Sequence, residues 1–201
     1  MLQEILKQAT KLQHDQLEQL MFVDKIMNGS LSFSEYKQIL LTNYLVHADL
    51  EKQLHTGIDS ALQQKLQVDK RAKLAALKQD LLELDIVLSE KNLPKNSIPI
   101  LQNNAAILGA MYVLEGATLG GNVIVKKLKT NLNLQNRQLN FHYYQVYGED
   151  LVARWKQFCQ VLNTEIDTDD HETCIQSALN VFACFAVAMQ QIPKSKSFAQ
   201  A

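Results

Sequence analysis

Three side chains near the N-terminus, Lys7, His14 and Glu18, have types and spacings suited to a metal-centred anion. On a helix, Lys7 and His14 fall within about 20° of one another and roughly 10 Å apart along the axis. Glu18 follows one turn past His14, within i, i+4 reach. An imidazole that ligates a metal commonly donates its other ring N–H to an acceptor, and Glu18 can receive it directly or through water. Lys7 then meets an anionic group some way from the metal. A flat, metal-centred ligand with a carboxylate rim, such as haem, meets these demands. A His-x3-Glu pair also arises by chance on many helices, as a solvated pair.

The second constellation is Gly109–Val125, GAMYVLEGATLGGNVIV. It reads as helix interior, yet it holds Gly116, Gly120 and Gly121. Each glycine costs an exposed helix interior roughly 1 kcal/mol relative to alanine. Gly116 and Gly120, spaced i, i+4, make a strip without side chains on one face. Close helix–helix packing explains such a strip; so does a planar ligand approaching the backbone. A bend there would free carbonyls to hold water.

These residues need helices to position them, and the chain supplies little else. It has 201 residues, seven Gly and three Pro, and 47% of its residues are hydrophobic. The pattern predicts an all-α fold in a single domain, residues 1–192, with a loose tail at 193–201. Helices are expected over about 2–20, about 33–56, about 60–90, about 102–131, about 149–164 and about 167–191. Ser32 with Glu35 forms a capping box at the start of the second. Pro94–Pro99 is a loop, and 132–147 reads as irregular. In the last helix, Ala178, Val181, Phe182, Phe185, Ala188 and Met189 form a stripe that is core or, alternatively, a cofactor wall. Cys159, Cys174 and Cys184 lack CxxC spacing and read as buried reduced thiols.

The formal net charge of −1 argues against a nucleic-acid binder. No apolar run approaches ~18 residues, so no membrane span is expected. The first residues, MLQEILKQATKLQ, lack the features of a signal peptide, which predicts a cytoplasmic protein.

The segment AMYVLEGATLGGNVI resembles the distal helix of bacterial biliverdin-producing haem oxygenases. The segment LKQATKLQHDQLE resembles the proximal helix of the same family, where Lys-x2-Thr-x3-His-x3-Glu recurs. Both lie at the expected places, and the combination is far more specific than either motif. The resemblance implies a single-domain helical bundle with haem b, both substrate and cofactor, between the two helices. It implies cleavage with O2 and external electrons to biliverdin, carbon monoxide and ferrous iron. His14 resembles the proximal iron ligand and Glu18 its supporting acceptor. Lys7 and Tyr112 resemble propionate anchors and favour the α-meso edge. Arg154, or else Lys127, would meet the second propionate. Gly116 and Gly120, with Gly121 completing the pair, resemble the glycines over the distal face.

One position departs from the pattern. Some members carry Asp after the first distal glycine, where it holds water near bound oxygen; this chain has Ala117. Backbone carbonyls near Gly116, or His47 on the second helix, are the expected substitutes. The implied partners are an electron donor, a ferredoxin or an NAD(P)H-dependent reductase, and a bilin acceptor. Two rivals stand beside this reading. One is a di-metal oxidase using His47, Glu51 and His55, although no histidine has Glu three residues before it as such sites require. The other is a haem-binding module that kept the fold without the chemistry.

Overall fold

The computed structural model describes residues 1–86 and 101–192. Among them all regular structure is helical: α1 (Leu2–Ala9), α2 (Lys11–Leu20), α3 (Val23–Asn28), α4 (Phe33–Gly57), α5 (Ser60–Leu66), α6 (Leu74–Glu83), α7 (Asn104–Gly116), α8 (Gly121–Lys129), α9 (Leu151–Glu165) and α10 (His171–Gln191). Short 3-10 turns lie at Val68–Arg71, Gly148–Asp150 and Thr168–Asp170. The expected Pro94–Pro99 loop, the last residues of the third expected helix and the 193–201 tail lie outside the described residues.

The centre of the fold is α4, α7 and α10. The capping box at the start of α4 is present: Glu35 N–H donates to Ser32 Oγ, and Ser32 N–H donates to Glu35. From Tyr36 to Leu54, α4 buries residues on most of its circumference. The α7–α10 pair packs closest, because Gly109 lets the backbones meet; a Cβ there would collide with the Cys174 carbonyl. The expected α10 stripe is buried, and the three cysteines are buried and form no disulfide among the described residues. Asn104–Lys129 and Thr168–Gln191 are long and apolar enough to cross a membrane by length and composition, contrary to expectation. About half of each is covered by the rest of the fold, as core helices are.

Three expected helices are each broken, and each break matters to the site. The first divides at Thr10, whose buried hydroxyl donates to the Leu6 carbonyl at 2.8 Å and bends the chain. The third divides after α5, where Gln67 takes a left-handed conformation (φ 49°). That reversal turns Arg71 and Lys73 into the interior. The fourth divides at Ala117–Gly120, so the glycines are not helix interior. Gly116 ends α7, Gly120 precedes α8, and Gly121 begins it.

Candidate functional site

A cavity of about 620 Å³ opens between α1–α2 on one side and the α7–α8 junction on the other. That volume suits a small-molecule or cofactor site. His14, Lys7 and Glu18 line it from the first side, Gly116 and Gly120 from the second. Tyr112, one turn before Gly116 on α7, lines it too. The aromatic rings of Tyr143, Tyr144, Trp155, Phe182 and Phe185 complete an apolar wall. The α10 stripe is therefore core for most of its length and cavity wall at Phe182 and Phe185.

His14 is held at this rim by its helix rather than by a fixed network. Its Nε2 lies 3.9 Å from Glu18 Oε1 and its Nδ1 3.6 Å from Asp15 Oδ1, both beyond a good hydrogen bond. The ring meets Phe182 edge-on, with centroids 6.3 Å apart. The imidazole thus keeps a nitrogen available. Lys11 pairs with Asp15 at 2.6 Å, whereas Lys7 has no ion pair among the described residues. Burial pushes the Tyr112 phenol up to about 12, so it stays neutral and can donate a hydrogen bond.

The glycines divide by role. A Cβ at Gly116 would meet nothing within 4 Å, and one at Gly120 would touch only the Ile124 side chain at 3.5 Å. Both therefore present bare backbone to the cavity without any packing demand. Gly121 is different, and its expected place over the ligand face is corrected. A Cβ there would strike the Tyr144 carbonyl. Its smallness serves the contact between α8 and the Phe141–Tyr147 segment.

Arg154, expected as an anchor, does not line the cavity. Its guanidinium lies over the Tyr147 ring, 5.3 Å from the centroid, and 3.5 Å from Asp150. Its neighbour Trp155 faces the cavity instead and packs on Tyr112. Lys127 is exposed on α8 and does not line the cavity either.

His47 is fully buried and stands one residue behind the wall. Its Nε2 lies 3.4 Å from the hydroxyl of Tyr143, which does line the cavity, and its Nδ1 lies 3.1 Å from Glu51. Burial lowers its pKa below the ordinary 6.5 more than Glu51 raises it, so the ring is neutral at pH 7. Neutral His47 donates from Nδ1 to Glu51 and accepts at Nε2 from Tyr143. Glu51 also accepts the N–H groups of Lys73 and Leu74, and His47, Glu51 and His55 do not bring ligand atoms together as a metal cluster among the described residues.

A buried cluster that the sequence did not reveal lies directly beneath the glycine turn. Glu115, next to Gly116, pairs with Arg71 and with Lys73, each at 2.5 Å. Tyr147 donates to the same carboxylate at 2.9 Å. Arg71 also reaches the carbonyls of Leu66 and Arg154 and the side chain of Gln157. These cations hold the Glu115 carboxylate ionised, with a pKa below the ordinary value despite burial. Asn43, one turn before His47 on α4, is the other missed residue. It is buried, lines the cavity, and donates to the Ile39 carbonyl at 2.8 Å. Nothing in its local sequence marks it; only the register of α4 against the cavity does.

Taken together, the cavity offers an available imidazole, an ammonium without an ion pair among the described residues and a phenol on a mostly apolar surface that also carries Glu18 and Asn43, opposite bare backbone. That donor set fits a planar metal complex with carboxylate substituents. A family model described as Heme oxygenase matches residues 1–191. A heme oxygenase of Xanthomonas campestris pv. campestris (strain 8004) is 29% identical over 140 residues, 70% of this chain and 79% of that protein. Among solved structures, heme oxygenase from Leptospira interrogans superposes with a TM-score of 0.77 at 16% identity, covering 95% of this chain and 99% of the other. Heme oxygenase-1 of Synechocystis sp. PCC6803, solved in complex with heme, gives 0.75 at 18% identity, covering 94% and 91%. The NO- and CO-bound enzyme from Neisseria meningitidis gives 0.71 at 21% identity, covering 95% and 91%.

Proposed function

The chain belongs to the heme oxygenase family, and from that premise we propose that it cleaves haem b at a meso carbon to biliverdin, carbon monoxide and ferrous iron. The observation that carries this reading is the shared cavity: His14 and the uncovered Gly116–Gly120 strip line the same space. Bound haem would supply the oxygen chemistry, its iron activating O2 and its own ring being the substrate.

The residues of this chain have four tasks. His14 would ligate the iron through a ring nitrogen, and Glu18, 3.9 Å away, would support the ring through water. Lys7 and Tyr112 bind propionates, fix the in-plane rotation of the macrocycle and thereby present the α-meso edge. Gly116 and Gly120 leave the opposite face open for oxygen. The aromatic wall of Trp155, Phe182 and Phe185 excludes water from the rest of the ring.

We assign the place of the missing Asp to Asn43 of α4 and to Tyr143, beside the carbonyls of the glycine turn. The Gly116 carbonyl accepts Leu119 N–H at 3.0 Å and keeps a second lone pair. Asn43 and Tyr143 put polar residues on the cavity wall, and neutral His47, held by Glu51, accepts from the Tyr143 hydroxyl and fixes its orientation. Electrons come from an external donor, a ferredoxin or NAD(P)H-dependent reductase, and the product passes to a bilin acceptor.

Single-turnover product analysis tests this. The purified chain is loaded with hemin and given electrons and O2, and the pigment is identified chromatographically. The expected product is the α isomer of biliverdin, with one carbon monoxide per haem. A complex that binds hemin and stays unreacted would replace the proposal with a haem-binding module.

A further inference from the structure

One segment of the cavity wall has no regular structure of its own. Residues 140–147 run between α8 and α9 as a series of turns, yet they supply Tyr143 and Tyr144. Phe141 within it has φ 57°, a left-handed backbone that a bulky residue adopts only when its surroundings dictate it. Its buried ring meets Tyr36 of α4 edge-on at 6.0 Å. Something must therefore hold the backbone on both sides of Phe141.

Two carboxylates on α6 do so. Asp80 is buried, and its two oxygens accept separate backbone N–H groups, from His142 at 2.7 Å and Tyr143 at 2.9 Å. Glu83, one turn on, accepts Asn140 N–H at 2.8 Å, the Asn140 carboxamide at 2.6 Å and His142 Nε2 at 3.1 Å. These bonds tie residues 140, 142 and 143 to one helix and leave Phe141 as the reversed link between them. Beyond the clamp, the Tyr143 ring stacks edge-on against His47 at 5.5 Å.

We infer that Asp80 and Glu83 are positioning residues for the cavity wall: they fix the 140–143 backbone so that the Tyr143 hydroxyl reaches His47. Neither carboxylate lines the cavity, so each acts through the segment it holds. An amide at position 80 would offer one acceptor oxygen where two N–H groups converge, and its own NH2 would oppose the second. The groups facing Asp80 are His142 and Tyr144 of the segment, Glu83 of its own helix and Tyr36 of α4. Burial outweighs the two backbone donors and pushes the Asp80 carboxyl up to about 6, so acidification should weaken the clamp by removing the charge that both N–H groups point at.

Nuclear magnetic resonance on the ligand-free full chain tests this without haem, so its outcome is separate from that of the proposed activity. In the native chain, the His142 and Tyr143 amide protons should move upfield together on acidification, with a midpoint at about pH 6. The His47 ring signals should show a matching step. In Asp80→Asn that step should vanish from both amides and from the ring, leaving only the intrinsic titration of His47. Glu83→Gln should shift the Asn140 and His142 amides and leave the Asp80 step in place. Amides that titrate while the His47 ring shows no matching step would overturn the inference, as would Asp80→Asn ring signals identical to those of the native chain. If Asp80→Asn fails to fold, the native titration alone decides.

Discussion

At the residue scale, the three glycines of GATLGG separate into two kinds. Gly116 faces open cavity and Gly120 faces cavity edged by the Ile124 side chain, so under the proposed function a side chain there would meet haem rather than backbone. Gly121 faces the Tyr144 carbonyl, so a side chain there meets backbone. Gly120→Leu should therefore leave the melting temperature close to native while abolishing hemin binding or turnover. Gly121→Ala should instead destabilise the fold by about 1–3 kcal/mol, read from urea unfolding, through overpacking. Native-like turnover in Gly120→Leu would make the strip irrelevant to the ligand. His47 gives a pH signature. Its folded pKa lies below the unfolded 6.5, so the unfolded chain binds more protons in the interval between them. The stability contributed by neutral His47 is present above about 6.5 and is lost as pH falls through the folded value. His47→Gln should flatten that part of the stability–pH curve, measured by chemical denaturation at a series of pH values. Lys7, His14, Glu18 and Tyr112 all line one cavity; helical spacing places His14 and Glu18 one turn apart on α2, whereas the break at Thr10 separates Lys7 from His14 and only the resemblance singled out Tyr112. Arg154 and Gly121 were not legible in the sequence, because what each meets is set by the irregular Phe141–Tyr147 segment.

At the element scale, helix type was easy to read and helix continuity was not. The Ser32–Glu35 box and the long apolar run of α4 are local signals, and α4 starts and stops where they predict. The breaks at Thr10, Gln67 and Ala117–Gly120 have tertiary causes. Each turns a helix so that polar groups meet inside: Thr10 toward the cavity, Arg71 and Lys73 toward Glu115. The Arg71–Glu115–Lys73 cluster clamps the end of α7 and so fixes where the bare strip begins. Removing one member of a buried ion cluster leaves uncompensated charge and typically costs about 3–5 kcal/mol. Glu115→Ala should show that loss in denaturant unfolding, together with weakened hemin binding. Lys65→Ala breaks only the exposed pair with Glu165 and should change stability by less than about 1 kcal/mol. Equal effects of the two substitutions would contradict the role given to the cluster.

At the scale of the whole molecule, the cavity belongs to no single element. Its walls come from α1 to α4, α7, α8 and the turn between them, the 140–147 segment, α9 and α10, so the site exists only in the assembled fold. The paired motifs disclosed that α2 and the glycine turn would face one another, but not what fills the space between their ends. The α10 stripe illustrates the limit: periodicity marks it as buried, and only the packing divides it into core and cavity wall. Under the proposed function, His14 would hold a haem on the side of the cavity that faces Gly116 and Gly120. The most direct measurement of this central claim is the absorption spectrum and single turnover of the hemin complex of His14→Ala, with and without added imidazole. The native complex should show a histidine-ligated Soret band that bleaches to a bilin when electrons are supplied. His14→Ala should lose that band and its turnover, and imidazole should restore part of both. A His14→Ala protein that keeps the native spectrum and degrades haem at the native rate would contradict the account.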